Sequence, residues 1–133
     1  MMTKENTEKL PTIYEDIGGE KTVRELVDKF YDIMHENTEY DIIRKMHPEL
    51  LDTSKDKLFM FLSGWMGGPS LYVNKYGHPR LRARHMPFVI TDVERDQWLK
   101  CMLEAMNELK LKNELKVELM RSFYQTADFM RNK

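Results

Sequence analysis

Cysteine is almost absent from this chain, since Cys101 is the single one among 133 residues. One cysteine excludes an internal disulfide, a C-x-x-C-H attachment motif and a zinc site built from several thiolates. Its apolar neighbours Leu99 and Met102 favour an ordinary buried or half-buried thiol. The simplest expectation is a protein that resides in a reducing compartment.

Long apolar runs are absent as well, because nothing approaches the roughly 18 consecutive apolar residues of a membrane span. The first residues, MMTKENTEKL, are polar and lack the apolar region of a signal peptide. We therefore expect no membrane span, no signal peptide and a cytoplasmic location. Residues 1–10 are predicted to form a flexible tail and residues 11–133 a single domain, for which the apolar content of 41% supplies a core.

Acidic residues are absent between positions 67 and 91, although they are frequent elsewhere. Lys75, Arg80, Arg82 and Arg84 give this stretch a formal charge of +4 in a chain whose net charge is −1. A local excess of this kind favours a small anionic partner over nucleic acid, which needs a broader basic face. A helical module that binds phosphate or nucleic acid is one hypothesis for such a stretch. The sequence disfavours it, because a phosphate-binding G-x-x-x-x-G-K loop is missing.

Apolar residues recur at helical spacing in several segments. The stripe of the most regular segment consists of Val23, Leu26, Val27, Phe30, Ile33 and Met34. Further stripes indicate helices over residues 54–66, from the capping box of Thr91 and Glu94 onward, and over residues 113–130. The first helix is very short, because a capping box of Thr12 and Glu15 opens it and Gly18-Gly19 ends it. The predicted fold class is all-α.

The middle of the chain gives weaker signals. Residues 41–46 resemble a helical turn that His47-Pro48 stops, and Thr53 with Asp56 resembles another capping box. Residues 68–87 have little periodicity, and an irregular stretch of this length is usually either disordered or functional. The apolar residues that argue against disorder are Leu71, Tyr72, Tyr76, Leu81 and Phe88.

Residues 77–90, GHPRLRARHMPFVI, combine two histidines, three arginines and two prolines. An all-α domain with such an insert between two regular helices needs something to surround, and a planar cofactor with carboxylates meets that need. Haem fits, because its iron prefers imidazole and its propionates pair with Arg or Tyr. The candidates for the apolar slot around its ring are Leu58, Phe61, Phe88 and Trp98. Composition alone does not single out haem.

Seven motifs follow one another along residues 13–106: IYEDIGG, KFY, MHPE, FLSGWMGGP, LY, GHPRLRARHMPF and ERDQWLKCM. Their order resembles that of the group II truncated haemoglobins, and the last helix matches that family by pattern only. The resemblance implies a truncated globin fold, in which two helices pack over two others around haem and the first helix is very short.

The resemblance also implies roles on the proximal side. His85 matches the proximal histidine, which binds iron through one ring nitrogen while the other donates a hydrogen bond. Without the resemblance, a surface or core histidine is the ordinary interpretation. Arg84 and Tyr72 match propionate contacts, and the basic stretch gives Arg84 an independent reason to be there. Arg80 and Arg82 can be solvated instead.

On the distal side, Trp98 and Tyr31 match the family's distal tryptophan and tyrosine, whose N–H and O–H groups donate to the ligand. Core packing stays open for both. Ser54 and Leu58 match two further distal positions. His47 departs from the family, where Tyr or Phe is usual, and it can donate to the ligand, bind the iron as a sixth ligand or point to solvent.

The function implied by the resemblance is that of a protein with non-covalently bound haem b, which binds O₂ and other diatomic ligands (NO, CO) reversibly. Strong donors slow the release of O₂, which favours capture, sensing or redox chemistry over bulk oxygen transport. The alternative is an NO dioxygenase or a peroxidase, which would need an external reductase. The helix faces carry no second apolar stripe, so the oligomeric state is left open.

Overall fold

The computed structural model describes residues 11–133, and the predicted tail at residues 1–10 lies outside that range. Within it the regular structure is helical and contains no β-strand, which confirms the all-α class. No helix of these residues has both the length and the apolarity needed to cross a bilayer. The helices are α1 (Ile13–Ile17), α2 (Gly19–Glu36), a 3-10 helix (Thr38–Tyr40), α3 (Asp41–Arg44), α4 (Asp52–Trp65), α5 (Leu71–Tyr76), α6 (Leu81–His85), α7 (Asp92–Glu108) and α8 (Asn113–Phe129).

Helix α2 is central to the packing, because it contacts both α4 and α7, while α8 packs against α7. The long helices thus form two pairs, as the expected two-over-two arrangement requires. The buried residues of α2 are Val23, Leu26, Val27, Phe30, Tyr31 and Met34. Each large apolar side chain taken out of water in this way stabilises the fold by about 1.5–3 kcal/mol.

Helices α1 and α7 both begin with the predicted capping boxes. Thr12 Oγ1 accepts a hydrogen bond from the Glu15 N–H at 3.1 Å, and the Glu15 carboxylate accepts one from the Thr12 N–H at 3.0 Å. At α7 the Glu94 carboxylate accepts from the Thr91 N–H at 2.7 Å. Helix α1 ends after five residues at Gly18, whose φ of 117° lies in the left-handed region that glycine favours.

Two predictions for the middle of the chain are wrong. Helix α4 begins at Asp52, with Leu51 as its N-cap and no side-chain capping bond, so Thr53 and Asp56 form no capping box. Thr53 lies inside the first turn instead of preceding it. Residues 68–87 are also not irregular, because they contain α5 and α6, with Gly77 at φ 83° after α5. Helices of six and five residues are too short to show a period, and tertiary packing stabilises them.

The turn after α4 is the surface on which α1 packs. The Tyr14 N–H donates to the carbonyl oxygen of Met66 at 2.8 Å. A Cβ on Gly68 would lie only 2.5 Å from the ring of Tyr14, and Gly67 has a φ of 92°. Glycine at position 68 therefore allows the aromatic ring to lie directly on the backbone of the turn.

Gly68→Ala is expected to lower the free energy of unfolding by about 1–3 kcal/mol, because the added methyl group forces the Tyr14 ring away. Equilibrium unfolding in denaturant measures this loss. Gly64→Ala is the matched control. A Cβ on Gly64 would have its nearest neighbouring atom at 3.4 Å, and Gly64 itself lies within a helix, where alanine is favoured over glycine. Equal losses in the two variants would contradict the proposed contact.

Candidate functional site

Helix α6 places His85 at its C-terminal end, where the ring is half-buried. The ring Nδ1–H donates to the carbonyl oxygen of Leu81, one turn earlier, at 2.7 Å. A neutral imidazole that uses Nδ1 as a donor keeps its lone pair on Nε2. His85 is therefore oriented by its own helix and has one ring nitrogen available as a metal ligand.

The basic side chains near His85 have different partners. The guanidinium of Arg84 lies 5.9 Å from the ring centroid of Tyr72, and its Nε–H donates to the carbonyl oxygen of Pro79 at 2.7 Å. Tyr72 is buried on α5. Arg82, which the sequence allowed to be solvated, instead donates to main-chain carbonyls near the end of α8. Of the three arginines of this stretch, Arg84 is thus the one that lies over the predicted propionate contact Tyr72.

Tyr31 is buried on α2 among aromatic rings. Its ring meets those of Phe30 and His47 nearly edge-on, with centroids 5.0 and 5.5 Å away. Burial raises the pKa of the Tyr31 phenol well above its usual range, so the hydroxyl stays protonated. Within residues 11–133 this hydroxyl has no hydrogen-bond partner, and it can donate to a ligand.

His47 is half-buried and packs against Tyr31, which disagrees with the alternative that it points to solvent. Its Nδ1–H donates to the carbonyl oxygen of Ile43 at 2.8 Å. Burial lowers the pKa of His47, the charges of Arg44 and His85 lower it further, and the bond to Ile43 opposes them. The neutral ring therefore exposes an Nε2 lone pair, which accepts a hydrogen bond or binds a metal but does not donate.

Arg44 holds the segment that contains His47, a role that sequence patterns do not indicate. Its Nη1 and Nη2 donate to the carbonyl oxygens of Pro48 and Glu49 at 2.9 and 2.7 Å. Its Nε donates to Nδ1 of His35, an exposed residue near the end of α2. One guanidinium thereby fixes the turn after α3 to α2.

The lowered pKa of His47 predicts that the protein without cofactor loses stability in acid. Below the unfolded pKa of about 6.5, the unfolded chain takes up a proton that the folded chain resists, so the free energy of unfolding falls as pH decreases. The slope for this one group is at most about 1.4 kcal/mol per pH unit. Denaturant unfolding is measured from about pH 7.5 to about pH 5, a range that spans the unfolded pKa. Over this range the free energy of unfolding should decrease less in His47→Gln than in the wild-type protein. Identical curves for both proteins would contradict the prediction.

Trp98 lies on α7, where its ring has the core packing that was one of its two interpretations. Its ring is half-buried and packs against Phe30 and Phe123, with centroids 5.2 and 5.3 Å away. The contacts run without interruption from His47 through Tyr31 and Phe30 to Trp98. Three of the predicted distal residues, on α2, on α7 and in the turn after α3, are thus brought into one aromatic row.

The other predicted residues lie on α4 and after α6. Ser54, Leu58 and Phe61 are half-buried on α4, and the Phe61 ring meets that of Tyr72 edge-on at 6.4 Å. Phe88 follows α6 and is 40% exposed, so it is a surface-accessible part of any apolar slot. Phe61, Tyr72 and Arg84 therefore form a second row of contacts.

The donors present fit haem. His47 and His85 each use Nδ1 on a carbonyl four residues earlier and leave Nε2 free, and a free imidazole nitrogen is a ligand that haem iron would accept. The apolar side chains of Leu58 and Phe61 suit the ring, and Arg84 supplies positive charge for carboxylates.

Comparison with known proteins agrees with this geometry. A family model described as bacterial-like globin matches residues 12–132. The group 2 truncated haemoglobin YjbI of Bacillus subtilis is 38% identical over 90% of this chain and 88% of its own length.

Solved structures give the same result. The group II 2-on-2 haemoglobin of Agrobacterium tumefaciens superimposes with a TM-score of 0.89 at 39% identity, over 95% of this chain and 98% of that one. A truncated oxygen-avid haemoglobin from Bacillus subtilis gives 0.85 at 38% identity, over 92% and 100%. These matches confirm the truncated globin fold expected from the motifs. The chain belongs to the bacterial-like globins and, within them, to the group II truncated haemoglobins.

Proposed function

We propose that this protein binds haem b without a covalent link and uses it to bind O₂ reversibly, with CO and NO as further ligands. The observation that carries the proposal is the hydrogen bond from Nδ1 of His85 to the carbonyl oxygen of Leu81, which leaves the Nε2 lone pair free to bind a metal. Membership of a haemoglobin family supports it, as does the likeness to a relative described as oxygen-avid.

The residues of the chain divide the task of holding the cofactor. His85 would hold the iron through Nε2, with the bond to Leu81 fixing the ring orientation and raising the basicity of the ligand. Arg84, with Tyr72 beside it, pairs with the propionates. The porphyrin would be covered by the side chains of Leu58, Phe61, Phe88 and Trp98. Haem itself supplies the iron at which a diatomic gas binds reversibly.

Tyr31 and Trp98 would stabilise a bound gas by donating hydrogen bonds to it. The Tyr31 phenol stays protonated because burial raises its pKa, so it is a donor across the physiological range. Phe30 lies between the two rings and contacts both, which restricts the directions in which they donate. Ser54 and Leu58 leave room beside the ligand. Preoriented donors slow ligand release, and this favours retention of O₂ over bulk transport.

His47 acts through Nε2, because Nδ1 is occupied by Ile43. Two roles are compatible with that lone pair when no gas is present: His47 binds the iron as a sixth ligand, or it stays off the iron and packs edge-on against Tyr31, whose hydroxyl keeps its proton for the gas. The edge-on contact between the two rings supports the second. A ferrous absorption spectrum separates them, since a sixth ligand produces a six-coordinate low-spin form.

The experiment that tests the proposed function is gas titration of the haem-loaded, reduced protein. The expected result is an oxygenated absorption spectrum that forms on addition of O₂ and disappears when the O₂ is removed, with one molecule bound per chain. Titration with CO measures the number of competent sites independently. Immediate oxidation without an oxygenated form, in protein that binds CO fully, would reject reversible oxygen binding.

A further inference from the structure

We propose that the C-terminal residues of the chain position the proximal histidine. The C-terminal clamp consists of Asn132 and the main-chain carbonyl groups of Phe129 and Arg131, together with Arg82 of α6, and Asn132 is its principal positioning residue. The inference rests on the proposed function insofar as His85 binds iron, whereas the contacts themselves are independent of haem.

Asn132 makes a set of hydrogen bonds to the segment that begins at His85. Its main-chain N–H donates to the carbonyl oxygen of Ile90 at 3.0 Å, and its Oδ1 accepts from the Ile90 N–H at the same distance. Its Nδ2 donates to the carbonyl oxygen of Phe88 at 2.8 Å and, more weakly, to that of His85 at 3.4 Å. One half-buried side chain thus uses both its donor and its acceptor capacity on a single loop.

This loop has few other means of keeping its shape. Helix α6 has five residues, too few to be stable alone, and its last carbonyl groups need partners outside the helix. Pro87 offers no N–H. Within the segment, the Phe88 N–H donates to the carbonyl oxygen of His85 at 3.0 Å. Apart from this bond and the one from the Met86 N–H to the carbonyl oxygen of Ala83, the main-chain hydrogen bonds of residues 86–90 are made with Asn132, 42 positions beyond Ile90.

Arg82 of α6 also connects the loop region to the C-terminal residues, but here the side chain comes from α6 and the main-chain groups come from the C-terminal residues. Its Nη1 donates to the carbonyl oxygens of Phe129 and Arg131 at 2.7 and 2.8 Å, and its guanidinium lies 5.7 Å from the Phe129 ring centroid. A cation at these carbonyls satisfies the open C-terminal end of α8 and is favoured by the helix dipole. Because Arg82 precedes His85 by less than one turn, α6 and the end of α8 hold each other in place.

The direction of the His85 ring depends on this clamp. Nδ1 of His85 is bound to Leu81 of the same helix, so the ring moves as α6 moves. Groups that hydrogen-bond to a metal ligand commonly affect metal affinity by about 10–100-fold when they are removed, and Asn132 acts on such a ligand through the main chain of α6 and its loop. The clamp is therefore expected to set both the strength of the bond from His85 to iron and the rate of haem loss.

The test uses the full chain with Asn132→Ala, with Arg82→Gln as a second variant and Arg131→Gln as the control. The Arg131 side chain bonds to Asp128 on its own segment and not to the loop. Two readouts are needed: amide hydrogen exchange at positions 88 and 90 without haem, and the ferrous iron–histidine stretching band after haem loading. Haem transfer to excess apomyoglobin adds a rate.

We expect both readouts to change in the clamp variants, with amide exchange and haem transfer about tenfold faster and the stretching band shifted or broadened, while Arg131→Gln behaves as wild type. Faster exchange with an unchanged band would overturn the positioning role, and unchanged exchange would overturn the clamp itself. If wild-type protein took up no haem, the proposed function would fall together with the iron-directed part of the inference, and the exchange data would still decide whether Asn132 holds the loop.

Discussion

His85→Gly is expected to abolish the histidine-ligated haem spectrum and to raise the rate of haem loss by more than about 100-fold, since loss of a ligand exceeds the effect of losing a partner of a ligand. The substitution removes the imidazole ring. Its Nε2 is free because its Nδ1 is bonded to the carbonyl oxygen of Leu81. Absorption spectra of the ferrous and CO forms measure the ligation, and haem transfer to apomyoglobin measures the rate.

Glycine is chosen because it leaves space for imidazole added to the solution, which should restore the spectrum without restoring the link to α6. His78→Ala is the matched control from the same basic stretch. The His78 ring is exposed and accepts a hydrogen bond from the Arg80 N–H at 3.0 Å, a role in the loop before α6. If His85→Gly kept a wild-type spectrum while His47→Gln lost it, the two imidazoles would have been assigned to the wrong sides.

Tyr31→Phe and Trp98→Phe are each expected to accelerate O₂ release by about tenfold or more. A hydrogen bond to a charged acceptor contributes about 1.5–3 kcal/mol, and about 1.4 kcal/mol corresponds to a factor of ten in rate. Both substitutions preserve most of the aromatic packing against Phe30. Rapid mixing of the oxygenated protein with CO measures the dissociation rate directly.

The chain offers matched controls for these two variants. Tyr124→Phe removes a hydroxyl from an exposed tyrosine of α8. Trp65→Phe alters a half-buried tryptophan that stacks on Phe123 at 4.5 Å. Dissociation rates within about twofold of wild type in all four variants would contradict hydrogen-bond stabilisation of the ligand, because about 1.4 kcal/mol is required for a tenfold effect.

The double variant Tyr31→Phe/Trp98→Phe tests whether the two donors act independently. Since both rings contact Phe30, we expect the combined effect to differ from the product of the single effects.

A slow release of O₂ would also leave time for its reaction with NO, which is the enzymatic alternative suggested by the resemblance.

The sequence predicts the long helices of this fold well because their signals are local. The apolar stripe of α2 lies within one segment, and the capping boxes of Thr12 and Thr91 each involve two residues three positions apart. The same reasoning fails where tertiary contacts determine whether a helix forms and where it begins. Helices α5 and α6 are too short to show a period, and Thr53 has the residue pattern of a cap although α4 begins before it.

The candidate site shows the same division. The motif order identifies His85, Tyr31 and Trp98 as candidates, and the structure places Tyr31 and Trp98 in one aromatic row. The contacts that hold the site are not visible in the sequence. Asn132 bonds to main-chain groups of residues 42–47 positions away, and no periodic or motif signal links a side chain to main-chain groups at such a distance.

The central claim is that this chain binds haem through His85, and titration of the full protein with haem, followed by absorption spectra of the ferric, ferrous and CO forms, tests it most directly. We predict saturation at one haem per chain, with a Soret band of a histidine-ligated haem that shifts on reduction and again on addition of CO. Haem uptake without a defined stoichiometry, or spectra without a histidine signature, would contradict the claim.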